Sequence, residues 1–296
     1  MEQEATAATS TILRRHDAGF LRRQLVDLIA TGFVLASAGL AVAVLLAILI
    51  YVVINGLPAI NLAFFVERPL PYGEVGGGVA PALLGTLYML AVAALIGVPI
   101  GVGAGIYLSE FAGHRLAPTV RFVIDLIAGL PSIVVGVFVW ALLVRHLVGS
   151  YSGLAGAVAL AIIMIPIITR TVEEVLRLVP DSLREAALAL GVPRWRTILR
   201  VVVPTARAGV ITGIVLAMAR AGGETAPLLL TALGNQFFNL NLLEPMAALP
   251  LQIFTYATSP FADWHAKAWG GALVLIVLIG ALSLATRLVT RGQRGP

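Results

Sequence analysis

The chain contains no cysteine. A disulfide framework and a thiolate metal site are therefore both excluded, and the redox compartment stays open. Charge is scarce as well: 12% of the 296 residues are Asp, Glu, Lys or Arg, against roughly 25% in soluble domains. A chain this poor in charge has too little wettable surface to enclose a core, so most of it must face lipid or other apolar spans. Lysine occurs once, as Lys267 in Ala266-Lys267-Ala268. A Walker A phosphate loop needs its lysine after a glycine-rich turn, so none is present. The four histidines, His16, His114, His146 and His265, are scattered without metal-ligand spacing. A serine nucleophile inside a span would lack a histidine base at its depth, which argues against an intramembrane hydrolase.

What the chain has is apolar length: 59% of its residues are hydrophobic. Six apolar segments, near 28–54, 79–108, 119–144, 153–168, 205–230 and 268–288, approach or exceed the roughly 20 residues that span a hydrocarbon core as a helix. The fourth is the shortest. These segments predict an all-α polytopic membrane protein with six transmembrane helices. Lys and Arg alternate across them, with 4, 1, 2, 1, 7, 1 and 3 in successive intervening segments and Arg220 left inside a span. The positive-inside rule then puts both termini in the cytoplasm and the segments 55–78 and 234–267 outside. The net charge of +5 is thus explained by topology, and no nucleic-acid partner is expected.

Residues 1–24 read as a cytoplasmic tail rather than a cleavable signal. Glu2 and Glu4 come first, and the apolar run after Arg22 and Arg23 is too long for a signal-peptide core. Arg14, Arg15, Arg22 and Arg23 suit anionic lipid headgroups. Residues 25–290 read as one transmembrane domain and 291–296 as a second short tail. The segment 234–267 is long enough for a short re-entrant or surface helix.

The most polar stretch, 173–204, holds Glu185-Ala186-Ala187-Leu188-Ala189-Leu190-Gly191, with Pro204 thirteen residues further on. Ser182 and Glu185 have the spacing of a capping box. Gly191 suits the left-handed residue that ends a helix, and Pro193 prevents continuation. Ala186, Ala187 and Leu190 would be small or apolar positions able to press into a groove on another protein. An interfacial amphipathic helix with no partner is the plainer reading of the same residues. The pattern resembles the EAA loop of the ABC importer permeases. In that family the loop forms a coupling helix seated on an ATPase subunit, which implies that Glu185, Ala186, Ala187 and Gly191 serve the coupling. It also implies that the chain is not itself an enzyme and holds no cofactor, with ATP and Mg bound by the separate ATPase.

A second cluster, Ala219-Arg220-Ala221-Gly222-Gly223-Glu224-Thr225-Ala226-Pro227, falls in the fifth apolar segment. Arg220 would lie near mid-membrane, where a charge is costly and usually faces protein or a water-filled path. Arg220 and Glu224 are four apart, neighbours on one helix face. Gly222 and Gly223 remove packing, and Pro227 cannot bond back to Gly223. The expected outcome is a weakened turn beside an arginine suited to anions and the Thr225 hydroxyl. A purely structural ion pair remains the alternative. Arg121 and Asp125 form a similar step at the cytoplasmic end of the third span.

This cluster, continued by Leu228-Leu229, is similar to the signature of permeases of the phosphate-specific importer. Similar segments run from Gly76-Gly77-Gly78 through 105–111 and Gly129-Leu130-Pro131-Ser132-Ile133 to Ala268-Trp269. The resemblance implies a type I ABC importer permease fold in a bacterial inner membrane. It also implies a second permease subunit, an ATPase dimer and an extracytoplasmic phosphate-binding protein as partners. Arg220, Glu224 and Thr225 would then line the substrate path. The chemistry of these residues alone does not separate phosphate from sulfate or molybdate. A secondary anion carrier would also want Arg220, but it has no use for a cytoplasmic coupling helix.

Overall fold

The computed structural model describes residues 2–74 and 76–291, with side chains at 20, 22–74 and 76–284. It divides into two units, residues 1–54 and 55–296. The described part of the first lies within one helix, α1 (Glu2–Gly56). Its large apolar side chains, Phe33, Leu35, Leu40 and Ile50 among them, are exposed around the helix. Such an all-round apolar surface suits lipid or a partner span.

The second unit is built from short and long helices in the order α2 (Leu62–Val66), α3 (Ala80–Glu110), α4 (Ala117–Gly129), α5 (Ser132–Val139), α6 (Gly153–Arg177), α7 (Asp181–Ala189), α8 (Arg194–Thr197), α9 (Val203–Thr205), α10 (Arg207–Gly222), α11 (Ala226–Thr231), α12 (Leu249–Ala257) and α13 (Ala262–Arg291). The chain widens into π-helical turns after α5, over Trp140–Val148, and between α8 and α9, over Ile198–Val202. No named β-strand occurs among the described residues.

Helices α1, α3, α6 and α13 are each long and apolar enough to cross a bilayer unbroken. Two further spans are bent pairs, Ala117–Gly129 with Ser132–Val148 at 103°, and Arg194–Thr205 with Arg207–Gly222 at 74°. Counting each pair once gives six spans, as expected of a multi-pass membrane protein, although the fifth runs from Arg194 to Gly222 rather than over 205–230. The third span is therefore not the continuous helix expected over 119–144. The cause is local: Pro131 forces Leu130 into an extended conformation with ψ 135°, so the helix must end at Gly129 and restart at Ser132. The fifth segment also breaks, after Gly222, and resumes as α11 with Pro227 in its first turn. The fourth helix is longer than expected, running past residue 168 to Arg177.

Helix α6 is the centre of the unit, packed between α3 and α10 around Met164, Ile168, Val172 and Leu176, all fully buried. The backbone donors of its first turn are satisfied. The Ser152 hydroxyl accepts from Ala155 N at 3.2 Å, and the carbonyls of Glu244 and Leu242 accept from Gly153 N and Leu154 N. The close α3–α6 approach depends on Gly101 and Gly105. A β-carbon on Gly105 would stand 2.6 Å from Val172 Cβ, and one on Gly101 2.8 Å from Ile168 Cβ. The Thr169 hydroxyl donates across the same seam to the Gly101 carbonyl at 3.2 Å. Small residues that bring helix backbones together are the usual device where lipid removes the hydrophobic drive between spans.

Gly105→Leu should therefore cost several-fold in folded yield, since overpacking a tight seam costs about 1–3 kcal/mol or more. Gly103→Leu should be harmless, because a β-carbon there meets nothing within 4 Å. The monodisperse fraction after detergent extraction separates the two. The segment 234–267 holds α12, as its length suggested, but Leu249, Pro250, Leu251 and Tyr256 are buried. It is therefore a packed helix rather than a surface one. The Thr86 hydroxyl on α3 anchors it, accepting from Leu249 N at 2.7 Å.

Candidate functional site

The polar loop folds as a helical turn between α6 and α10. Pro180 is the N-cap of α7, with φ −58° and ψ 139°, and no side-chain cap forms. The capping box expected of Ser182 and Glu185 is therefore absent. The helix starts two residues too early for it, with Pro180 in the N-cap place, and Ser182 lies inside the first turn. Asp181 instead puts its charge at the positive end of the helix. The far end is as expected. Gly191 has φ 77°, Val192 N donates to Ala187 O at 3.2 Å and Gly191 N to Leu188 O at 2.9 Å, the complete Schellman arrangement.

Of the four expected coupling residues, Ala187 alone is buried, facing its own chain. Glu185, Ala186 and Gly191 are exposed. Leu190 is 84% exposed, and Leu178, Leu188, Trp195 and Leu199 are also uncovered near it. The loop thus presents an apolar outer surface, while Arg184, just before the motif, points inward. Arg184 is hydrogen-bonded to Glu110 at the end of α3, with Nη2 2.8 Å from Oε1. Next to it, Arg194 donates to the Glu110 carbonyl and lies over the Phe111 ring, 4.6 Å from its centroid.

The ion pairs on neighbouring helices differ from expectation. Asp125 pairs with Arg170 of α6 rather than with Arg121 on its own helix. Arg121 reaches Glu173 of α6 at 2.6 Å, and Arg177 meets the same Glu173 oxygen at 2.6 Å. Glu173 is almost fully buried, so its charge needs both guanidinium partners. Sequence spacing points to the i,i+4 partner, but helix crossing brings the α6 charges closer.

Arg220 lies in the last turn of α10, thirteen residues beyond Arg207, about 20 Å along the axis. It stands 3.7 Å from Glu224, whose side chain is 16% exposed against 64% for Arg220. The expected pair is thus present but loose, and the guanidinium is the more exposed partner. It turns toward a cavity of about 510 Å³ beside the break between α4 and α5. Ile127, Leu130, Ile163, Pro166 and Leu216 give that cavity apolar walls, and Ser132 and Arg220 are the polar side chains of its lining. Thr225, the third expected path residue, is half-buried at the start of α11 and does not line the cavity. The structure therefore brings Arg220 together with Ser132, and keeps Glu224 behind. Ser132 could have been found from Gly129-Leu130-Pro131, which marks a helix restart within an apolar segment.

The chain matches a model of the binding-protein-dependent transport system inner membrane component over residues 97–295. It is 46% identical to the phosphate transport system permease protein PstA of Xylella fastidiosa, with 82% of this chain and 84% of that protein aligned. The chain belongs to the PstA family. The PstA 1 of Mycobacterium tuberculosis is 39% identical, with 93% of this chain and 92% of that protein aligned. Among solved structures, an inward-facing MetNI methionine ABC transporter superimposes with a TM-score of 0.58 at 21% identity, covering 72% of this chain and 95% of that one. A crystal structure of an amino acid ABC transporter superimposes with a TM-score of 0.54 at 16% identity, covering 72% and 92%. These likenesses give the type I ABC importer permease fold. The chain is accordingly the permease component of an ABC transporter.

Proposed function

We propose that this permease carries inorganic phosphate and forms half of its translocation path, with Arg220 as the anion-binding group. The observation that carries the reading is the placement of Arg220. Its side chain is 64% exposed on a membrane-spanning element and borders an apolar-walled cavity. A charge at such depth needs water or protein around it, which a path shared with a second permease subunit supplies. The guanidinium fork gives phosphate charge-assisted, paired hydrogen bonds, and the Ser132 hydroxyl adds a neutral donor and acceptor. Glu224 holds Arg220 from behind. Thr225 contributes to the break rather than to the cavity. The choice of phosphate over sulfate or molybdate rests on the names of the relatives above.

An ATPase dimer binds ATP and Mg, docks on α7 and supplies the energy, so this chain needs no cofactor of its own and catalyses no reaction. Glu185, Ala186 and the Gly191 turn form the docking face, and Ala187 seats it on the permease. An extracytoplasmic phosphate-binding protein delivers the anion. The site of action is a bacterial inner membrane, with residues 1–24 and 291–296 as cytoplasmic tails on the transmembrane domain 25–290. A single cysteine in 55–78 should react with an impermeant reagent added outside, and one at Ser182 should not.

The function is tested by phosphate uptake into vesicles holding the permease pair, the ATPase and the binding protein. Uptake should require ATP and every component. Uptake driven by an ion gradient with the ATPase omitted would contradict the reading and favour a secondary carrier.

A further inference from the structure

We infer that Arg184 is the positioning residue that ties α7 to α3 and α6, so that displacement of α7 moves both spans. The inference rests on the reading of α7 as the ATPase-docking helix. Apolar packing alone holds α7 weakly, because Ala187 is its one buried residue. Burying an alanine methyl removes little area from water, so the helix could slide without dragging its neighbours.

The guanidinium supplies the missing attachment. Arg184 Nε and Nη2 donate to Glu110 on α3, at 3.2 and 2.8 Å to Oε1. Nη2 also donates to the Leu176 carbonyl at 2.9 Å, in the last turn of α6, and Nη1 to the Val179 carbonyl at 2.6 Å, just beyond its end. The remaining Nη1 donor meets Asp181 at 3.1 Å. All five N–H donors of the group are thus engaged, on three chain segments. The pair is largely shielded, with side chains 18% exposed at Arg184 and 6% at Glu110. Hydrogen bonding to the Glu110 carboxylate raises the pKa of Arg184, against a partial burial that acts the other way. The guanidinium therefore stays charged across physiological pH. A lysine offers three donors from one point and cannot reach Glu110 and two carbonyls together.

The test compares phosphate imported per ATP hydrolysed in the reconstituted complex. Arg184→Lys and Glu110→Gln should keep the ATPase bound and hydrolysing, while the import ratio falls about tenfold or more, the range of ordinary coupling energies. The double variant Arg184→Gln/Glu110→Gln removes any unpaired buried charge, and its ratio should stay low although assembly is normal. An unchanged ratio in Arg184→Lys, or a ratio restored in the double variant, would overturn the inference and leave the pair a fold support. Loss of the ATPase from the double variant would overturn it too, because the pair would then be needed to form the docking surface. If the ATPase fails to copurify with the unaltered chain, the docking reading of α7 itself fails, and the inference with it.

Discussion

Arg220→Gln should abolish phosphate uptake while the complex still assembles and hydrolyses ATP. Among the described residues the guanidinium is the one cation lining the cavity, and its loose 3.7 Å pairing with Glu224 leaves donors free for an anion. Glutamine keeps the length and some hydrogen bonding but loses the charge that compensates phosphate for its lost water. Arg220→Lys should rescue poorly, because a point charge cannot engage two oxygens in the plane of a fork. The structural alternative makes the opposite prediction. If the pair only locks α10 in place, Arg220→Gln leaves Glu224 unpaired, lowers assembly, and is repaired by Arg220→Gln/Glu224→Gln. Uptake by the double variant would therefore remove Arg220 from the path.

Gly191→Val should detach the ATPase or uncouple it. The residue sits at φ 77°, where a β-branched side chain is a severe outlier, and the left-handed region costs an ordinary residue about 1–2 kcal/mol. Relief of that strain would unwind the Schellman turn and shift Leu190, the most exposed apolar side chain of the loop. A β-carbon there meets nothing within 4 Å, so insertion and the rest of the fold should survive. Gly191→Asn is the permissive counterpart, since asparagine tolerates the left-handed region. ATPase retained by the asparagine variant and lost by the valine one, measured by copurification, would place the effect in the backbone turn. Equal retention by both would remove the turn from the docking surface.

The spans were legible because hydropathy reports lipid contact directly, residue by residue. Their breaks were less so. Gly222 and Gly223 beside Pro227 announced one break, whereas Gly129-Leu130-Pro131 lies within an apolar segment long enough to read as one continuous span. Arg220 and Glu224 were readable from their spacing and their cost in lipid. Ser132 has no charge to mark it: Gly129-Leu130-Pro131 signals the helix restart beside it, but its place in the cavity with Arg220 comes from the fold. Local spacing also misassigned partners. Asp125 lies four residues from Arg121, yet each bonds to α6, and the partner of Arg121 is Glu173, 52 positions away. Arg184 adjoins the Glu185 motif, but its anchor, Glu110, is 74 positions away. Such pairs are set by helix crossings, which no local pattern encodes. The Ser182 box failed for a nearer reason: Pro180 begins the helix before the serine can cap it.

The most direct test of the path uses the absence of cysteine. A single Ser132→Cys variant in the assembled complex places one thiol in the cavity beside Arg220. The measurement is its rate of modification by a small thiol-specific reagent, with and without phosphate, during ATP-driven turnover. Phosphate should slow the reaction, modification should block uptake, and Arg220→Gln should remove the protection. A modification rate indifferent to phosphate, with uptake intact after the thiol is blocked, would contradict the account.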